Sequence, residues 1–191
     1  MGVLTARVVD NVDPQGGGRV LVAVALTAGA KPSESWARLA TLSAGDQRGT
    51  WFPPAVGDEV LVAFEAGDVT KPIVVGSLWS TGDAPPETGP AQTDRTTIRT
   101  RSGSVIRIDD GAASTITIET GSGDSVALGP AGITIASSGK VTVTATSIEV
   151  TGGLVEMNTG MARFSGVVHC DTLIATSVVA SNYTPGAGNL W

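Results

Sequence analysis

The chain reads as an all-β protein, a small barrel followed by a repeating rod. Three observations carry that reading. Val, Ile and Thr fill the apolar positions and suit pleated, half-buried surfaces. Almost no window places apolar residues at helical spacing. In the second half, short β-branched pairs recur at a near-fixed interval: Ile106/Ile108, Ile116/Ile118 and Val126/Leu128 are spaced by ten, and the interval tightens through Ile133/Ile135, Val141/Val143, Ile148/Val150 and Val155/Met157. A fixed period of short strands means stacked rungs, each burying little until neighbours or other chains cover it.

The elements follow in order. Leu4–Val9 is a strand ended by the turn Asn11-Val12-Asp13-Pro14 and the glycines 16–18. Arg19–Leu26 alternates as a second strand and Ser35–Leu42, with Trp36 and Leu39, as a third. Gly49–Pro54 forms a loop, Glu59–Phe64 a fourth strand, Glu65–Asp68 a tight turn and Pro72–Leu78 a fifth strand. Five short strands with Gly/Pro turns over residues 1–82 fit a Greek-key barrel of the OB type. Residues 83–95 hold three prolines and no hydrophobic run, the signature of a semi-extended linker. Residues 96–160 are the rungs, with Ile106, Ile108, Ile116 and Ile118 on one face and Arg107, Thr117 and Glu119 on the other. One chain would leave that apolar face wet, and three copies wound about an axis would bury it. The expectation is therefore an intertwined homotrimeric β-helix. A single-chain solenoid wants rungs of about 20 residues or more, longer than this interval. Residues 161–191 leave the repeat and are placed to cap it or form a tip, with the terminal Trp191 an apex plug or a dock for a tip protein.

Composition excludes several functions. Aromatics are 4% and Gly numbers 25, so an aromatic-rich core is not expected over the whole length. A net charge of −6 argues against nucleic acid, which needs clustered Lys and Arg, and Arg95, Arg99, Arg101 and Arg107 read as a solvated strand face. No run of about 18 apolar residues marks a membrane helix, and Met1–Thr5 shows no signal-peptide pattern, so synthesis in a cytoplasm is expected. The single Cys170 excludes an intrachain disulfide.

Val8–Pro14 with Gly18–Val22, then Trp36–Ala40, then Val56–Phe64 with Gly67-Asp68, Lys71–Gly76 and Leu78-Trp79, resemble the OB domain of phage baseplate spikes and VgrG-type spikes in order and spacing over residues 3–80. Residues 96–160 resemble the family's trimeric β-helix in architecture. The resemblance implies the central spike of a contractile injection machine: a phage tail, a type VI secretion system or an extracellular phage-tail-like particle. It implies a barrel seated on a baseplate hub, a needle driven into a target membrane on sheath contraction, and a PAAR-like tip protein or effector at the C-terminal end. Relatives with a lysozyme domain or fused hub domains differ from this chain, which is similar to the short form, baseplate assembly protein V.

No residue is assigned a catalytic, cofactor or metal role. Related spikes close the needle with a His-x-His pair on iron, whereas Val168-His169-Cys170-Asp171 lacks the second histidine. Three copies of His169 could still ring a metal, and a satisfied or solvent-facing histidine is the simpler reading. Cys170 reads as a small buried hydrophobe, because neighbours on one strand do not meet as nucleophile and base. Gly121–Asp124 begins like a phosphate loop but lacks the lysine and the helix. Asp109-Asp110-Gly111 reads as a β-turn rather than a calcium loop. Trp51-Phe52-Pro53-Pro54 is balanced between a docking loop and a barrel plug. The rivals are a tail-fibre or adhesin fragment that binds a glycan, and a solenoid polysaccharide hydrolase or lyase, which would need paired carboxylates on a groove.

Overall fold

The computed structural model describes residues 2–25, 29 and 31–182, which divide into two units, 1–141 and 142–191. In the first unit five strands close a barrel: β1 (Leu4–Asp10), β2 (Val20–Val24), β3 (Ser33–Leu39), β6 (Glu59–Phe64) and β7 (Pro72–Leu78). Between β3 and β6 lies a two-residue-per-strand hairpin, β4 (Ala44–Gly45) and β5 (Arg48–Gly49), with Gln47 in the left-handed region at its turn. The barrel order is β1-β2-β3-β7-β6, every pair antiparallel except β3–β7, where Arg38 faces Ile73 and Leu39 faces Val74. That closure is the OB arrangement anticipated from the sequence.

Strand alternation explains the core. Val20, Val22 and Val24 point inward from β2 with Leu21 and Ala23 between them. Ala6, Val8, Ala37, Val60, Val62 and Val74 complete the buried cluster, and Leu4, Leu39 and Phe64 pack against it. Val22, Val60 and Val62 are wholly inaccessible. An interior of Val and Ala suits so small a barrel, where β-branched side chains fill the pleat and no ring has to be accommodated. Register shifts at Val8/Asp10 and Leu61/Val62 bend the strands as closure requires.

Residues 95–136 form an antiparallel meander: β8 (Arg95–Arg99), β9 (Val105–Asp109), β10 (Thr115–Glu119), β11 (Ser125–Gly129) and β12 (Gly132–Ala136), in the order β12-β11-β10-β9-β8. Its first strand, β8, precedes the rungs singled out in the sequence, because only Ile98 in it is strongly apolar. A repeat of 20 residues is visible in the turns. The Thr100 amide donates to the Ser104 carbonyl across Gly103 (φ 89°), and the Thr120 amide to the Asp124 carbonyl across Gly123 (φ 96°). In each turn the threonine hydroxyl accepts from the amide four residues on (3.1 and 3.2 Å). The two turns lie against each other, and a Cβ on Gly121 would strike the Ser102 carbonyl oxygen.

In the second unit the described residues 142–182 form no helix or strand, and all of them are exposed. The rungs expected at Val141/Val143, Ile148/Val150 and Val155/Met157 make no ladder with other described residues of this chain. Leu26, the expected end of the second strand, and Trp191, the expected plug, lie outside the described residues.

Candidate assembly surfaces

The meander has two unlike faces. Directly paired residues share a face, and so do residues two apart. One column therefore runs Ile98–Ile106–Ile118–Val126–Ile135, and beside it runs Thr96–Ile108–Ile116–Leu128–Ile133. Nine of these ten side chains are apolar. Ile106, Ile116 and Ile118 are each more than two-fifths exposed, and Ile133 reaches 70%. A contiguous apolar sheet face of this kind marks an interaction surface.

The opposite face carries the charged and hydroxyl side chains together with the buried Val105. Arg95 Nε donates to Asp109 Oδ2 at 2.7 Å, while Arg107 and the Thr97 hydroxyl converge on Glu87 Oε1 at 2.8–2.9 Å. The Thr97 hydroxyl, with the Arg107 guanidinium second, holds the Glu87 carboxyl below its ordinary range. Asp109 is lowered by Arg95, with the Gly111 amide second. Asp109-Asp110-Gly111 is thus a hairpin turn whose first carboxylate is committed to Arg95 and Gly111. Gly121–Asp124 is likewise a hairpin turn, in which Asp124 is lowered by the Ser137 hydroxyl and the Ser138 amide.

On the barrel, the β1–β2 loop is organised by one carboxylate. Asp13, its side chain 3% exposed, accepts from the Gln15, Gly17 and Arg19 amides and makes a two-point pair with Arg19 at 2.9–3.0 Å. The Arg19 guanidinium holds the Asp13 carboxyl far below the usual carboxylate range. It also lies over the Trp36 ring, 5.6 Å from its centroid. Gly18 (φ 68°) sits so close to the Trp51 ring that a Cβ there would reach it at 3.2 Å. Asn11 Nδ2 donates to the Pro54 carbonyl at 3.1 Å, and the Ala55 amide to Asp58 Oδ2 at 2.7 Å. The Trp51–Pro54 loop is therefore fixed from both sides, yet Trp51 and Phe52 are 64% and 70% exposed. Trp51 lies over a glycine turn and does not plug the barrel. With Leu42 it borders a groove of about 970 Å³ that runs along Val75–Ser77 of β7. The Asp13–Arg19 pair was not singled out in the sequence. Its signal was present in an Asp at a turn start followed by three glycines and an arginine.

His169 is exposed, and so is Cys170, against the expected buried position; among the described residues no cluster of three His, Cys, Asp or Glu side chains is placed to hold a metal ion. No helix among the described residues is long and apolar enough to cross a membrane.

Comparison with known proteins agrees with this architecture. The family model of the type VI secretion system/phage-baseplate injector OB domain matches residues 4–79, and that of the phage baseplate V C-terminal trimerisation domain matches residues 95–162. The chain is 36% identical over 72 residues to the actin cross-linking toxin VgrG1 of Vibrio cholerae (O395), a match covering 38% of this chain and 7% of that protein. It is 37% identical over 68 residues to the type VI secretion system spike protein VgrG3 of V. cholerae (El Tor N16961), covering 36% and 7%. The chain thus spans about 7% of the length of the curated relatives it matches. With a closed OB barrel over the first match and an apolar-faced sheet opening the second, residues 4–79 belong to the type VI secretion/phage-baseplate injector OB-domain family and residues 95–162 to the phage baseplate V C-terminal trimerisation family.

Proposed function

We propose that the chain is a non-enzymatic, homotrimeric central spike of a contractile injection machine, and that it pierces a target envelope when the sheath contracts. The observation that carries this reading is the unpaired apolar face of the β8–β12 sheet within the region matching a trimerisation domain. Three copies placing these faces on a common axis bury Ile106, Ile108, Ile116 and Ile118 in successive layers. Each buried Ile or Val side chain contributes about 1.5–3 kcal/mol. Beyond Ala136 the chain has apolar pairs without ladder partners, and winding three such segments together supplies both hydrogen bonds and cover. A rod closed in this way has no free edges, which makes it stiff in compression.

The division follows the sequence: a hub-docking barrel over residues 1–82, a linker over 83–95, the needle over 96–160 and a tip over 161–191. The rigid, exposed Trp51–Phe52 loop beside its groove supports docking of the barrel on a baseplate hub, since exposed aromatics on a fixed loop are ready interface anchors. A tip protein or effector at the C-terminal end, cytoplasmic synthesis and assembly into a particle complete the reading.

The test is the native mass of the purified chain, with and without boiling in SDS. An SDS-resistant species of three chains, lost on boiling, is expected. A monomer in both conditions would overturn the spike reading and return the solenoid-enzyme alternative.

A further inference from the structure

The connection between barrel and sheet is built unlike a flexible tether. Immediately after β7 and Trp79, Ser80 and Asp83 exchange backbone hydrogen bonds at 3.1 and 3.2 Å, and the Ser80 hydroxyl lies 3.2 Å from Asp83 Oδ2, closing a small turn. Ala84, Pro85 and Pro86 follow, and two consecutive prolines hold the backbone near a fixed extended course. The next residue is Glu87, whose side chain is 13% exposed.

Glu87 grips both strands of the first hairpin. From β8 it receives the Thr97 hydroxyl at 2.8 Å and Arg95 Nη1 at 3.3 Å; from β9 it receives Arg107 Nε at 2.9 Å and Nη2 at 2.8 Å. Arg95 is itself held by Asp109. Residues 87–95 then form a closed loop through the 3-10 turn Pro90–Asp94, and the Asp94 carbonyl accepts from the Asp110 amide at 2.7 Å. The free tether therefore shrinks from residues 79–94 to a hydrogen-bonded turn and Ala84-Pro85-Pro86. Arg107 and Thr97 take Glu87 Oε1 while Arg95 takes Oε2, so both carboxylate oxygens are held, which resists rotation as well as extension.

We infer that Glu87 is a strap that locks the linker to the polar face of the β8–β9 hairpin and so holds the barrel rigidly to the sheet. The reading is independent of what the protein docks on or pierces. The test is NMR relaxation and amide exchange on the full chain, for wild type, Glu87→Ala and Arg107→Ala. In wild type, barrel and sheet are expected to share one rotational correlation time. In either variant the barrel's is expected to shorten about twofold and the amides of residues 88–94 to exchange about tenfold faster, with the native mass and the β8–β12 protection unchanged. Raising salt on the wild-type protein is expected to speed exchange in the same segment, and this needs no variant to fold. A barrel that already tumbles independently in wild type overturns the strap. So do variants that keep wild-type linker exchange, and so does loss of protection throughout the sheet, which would make Glu87 an ordinary stabiliser of the hairpin.

Discussion

Asp13 shows how one side chain organises a surface loop. It satisfies three amides and an arginine at once, and through Arg19 and Gly18 it sets the positions of Trp36 and Trp51. Replacing it with alanine is expected to lower the barrel's melting temperature and to weaken the near-UV circular-dichroism signal of Trp36 and Trp51. The conservative Asp13→Asn, which cannot pair with two guanidinium nitrogens, is expected to recover only part of either. The pH dependence has a definite sign. The carboxyls of Asp13, Glu87, Asp109 and Asp124 all have folded values below their ordinary ones, so the unfolded chain binds protons more readily than the folded chain. Their contribution is complete above the ordinary carboxylate range, near pH 4, and is lost as pH falls through the depressed values. Acid titration followed by denaturation midpoint checks this; a midpoint independent of pH below 4 would contradict it.

The strands illustrate what patterning can and cannot reveal. Glu59–Phe64 and Pro72–Leu78 were legible to the residue, because each is a short apolar, β-branched run bracketed by turn residues. The third strand begins two residues earlier and ends three earlier than its apolar positions suggest, since pairing with β2, rather than hydropathy, sets its ends. The β4–β5 hairpin carries no apolar signal and was not anticipated. Within the barrel, Val22→Ala removes two methyls from a fully buried site and is expected to cost about 2 kcal/mol, lowering the barrel's Tm by roughly 10 °C. In the meander, Gly121→Ala forces a Cβ onto the Ser102 carbonyl, and about 1–3 kcal/mol of sheet stability is expected to be lost while the barrel's transition stays put. Calorimetry resolving the two transitions tests both.

For the whole molecule, the decisive property is that its two halves are completed differently. The barrel closes on itself, whereas the sheet leaves nine apolar side chains on one face. Ile106→Lys and Ile118→Lys place a charge on that face and are expected to abolish the SDS-resistant trimer while the barrel remains folded, as native mass and far-UV spectra would show. Thr117→Lys, on the polar face, is expected to leave the trimer intact.

By itself, the sequence determined the barrel's five strand-forming stretches, the apolar rung pairs and the family resemblance, because alternation, turn residues and spacing are local properties of the chain. The tertiary structure alone decided that the rungs from 95 to 136 pair as hairpins within the chain, that Asp13 governs the loop beneath Trp51, and that Glu87 fastens the linker to Arg95 and Arg107. These depend on contacts between residues whose meeting is fixed only when register and turn geometry bring distant strands side by side.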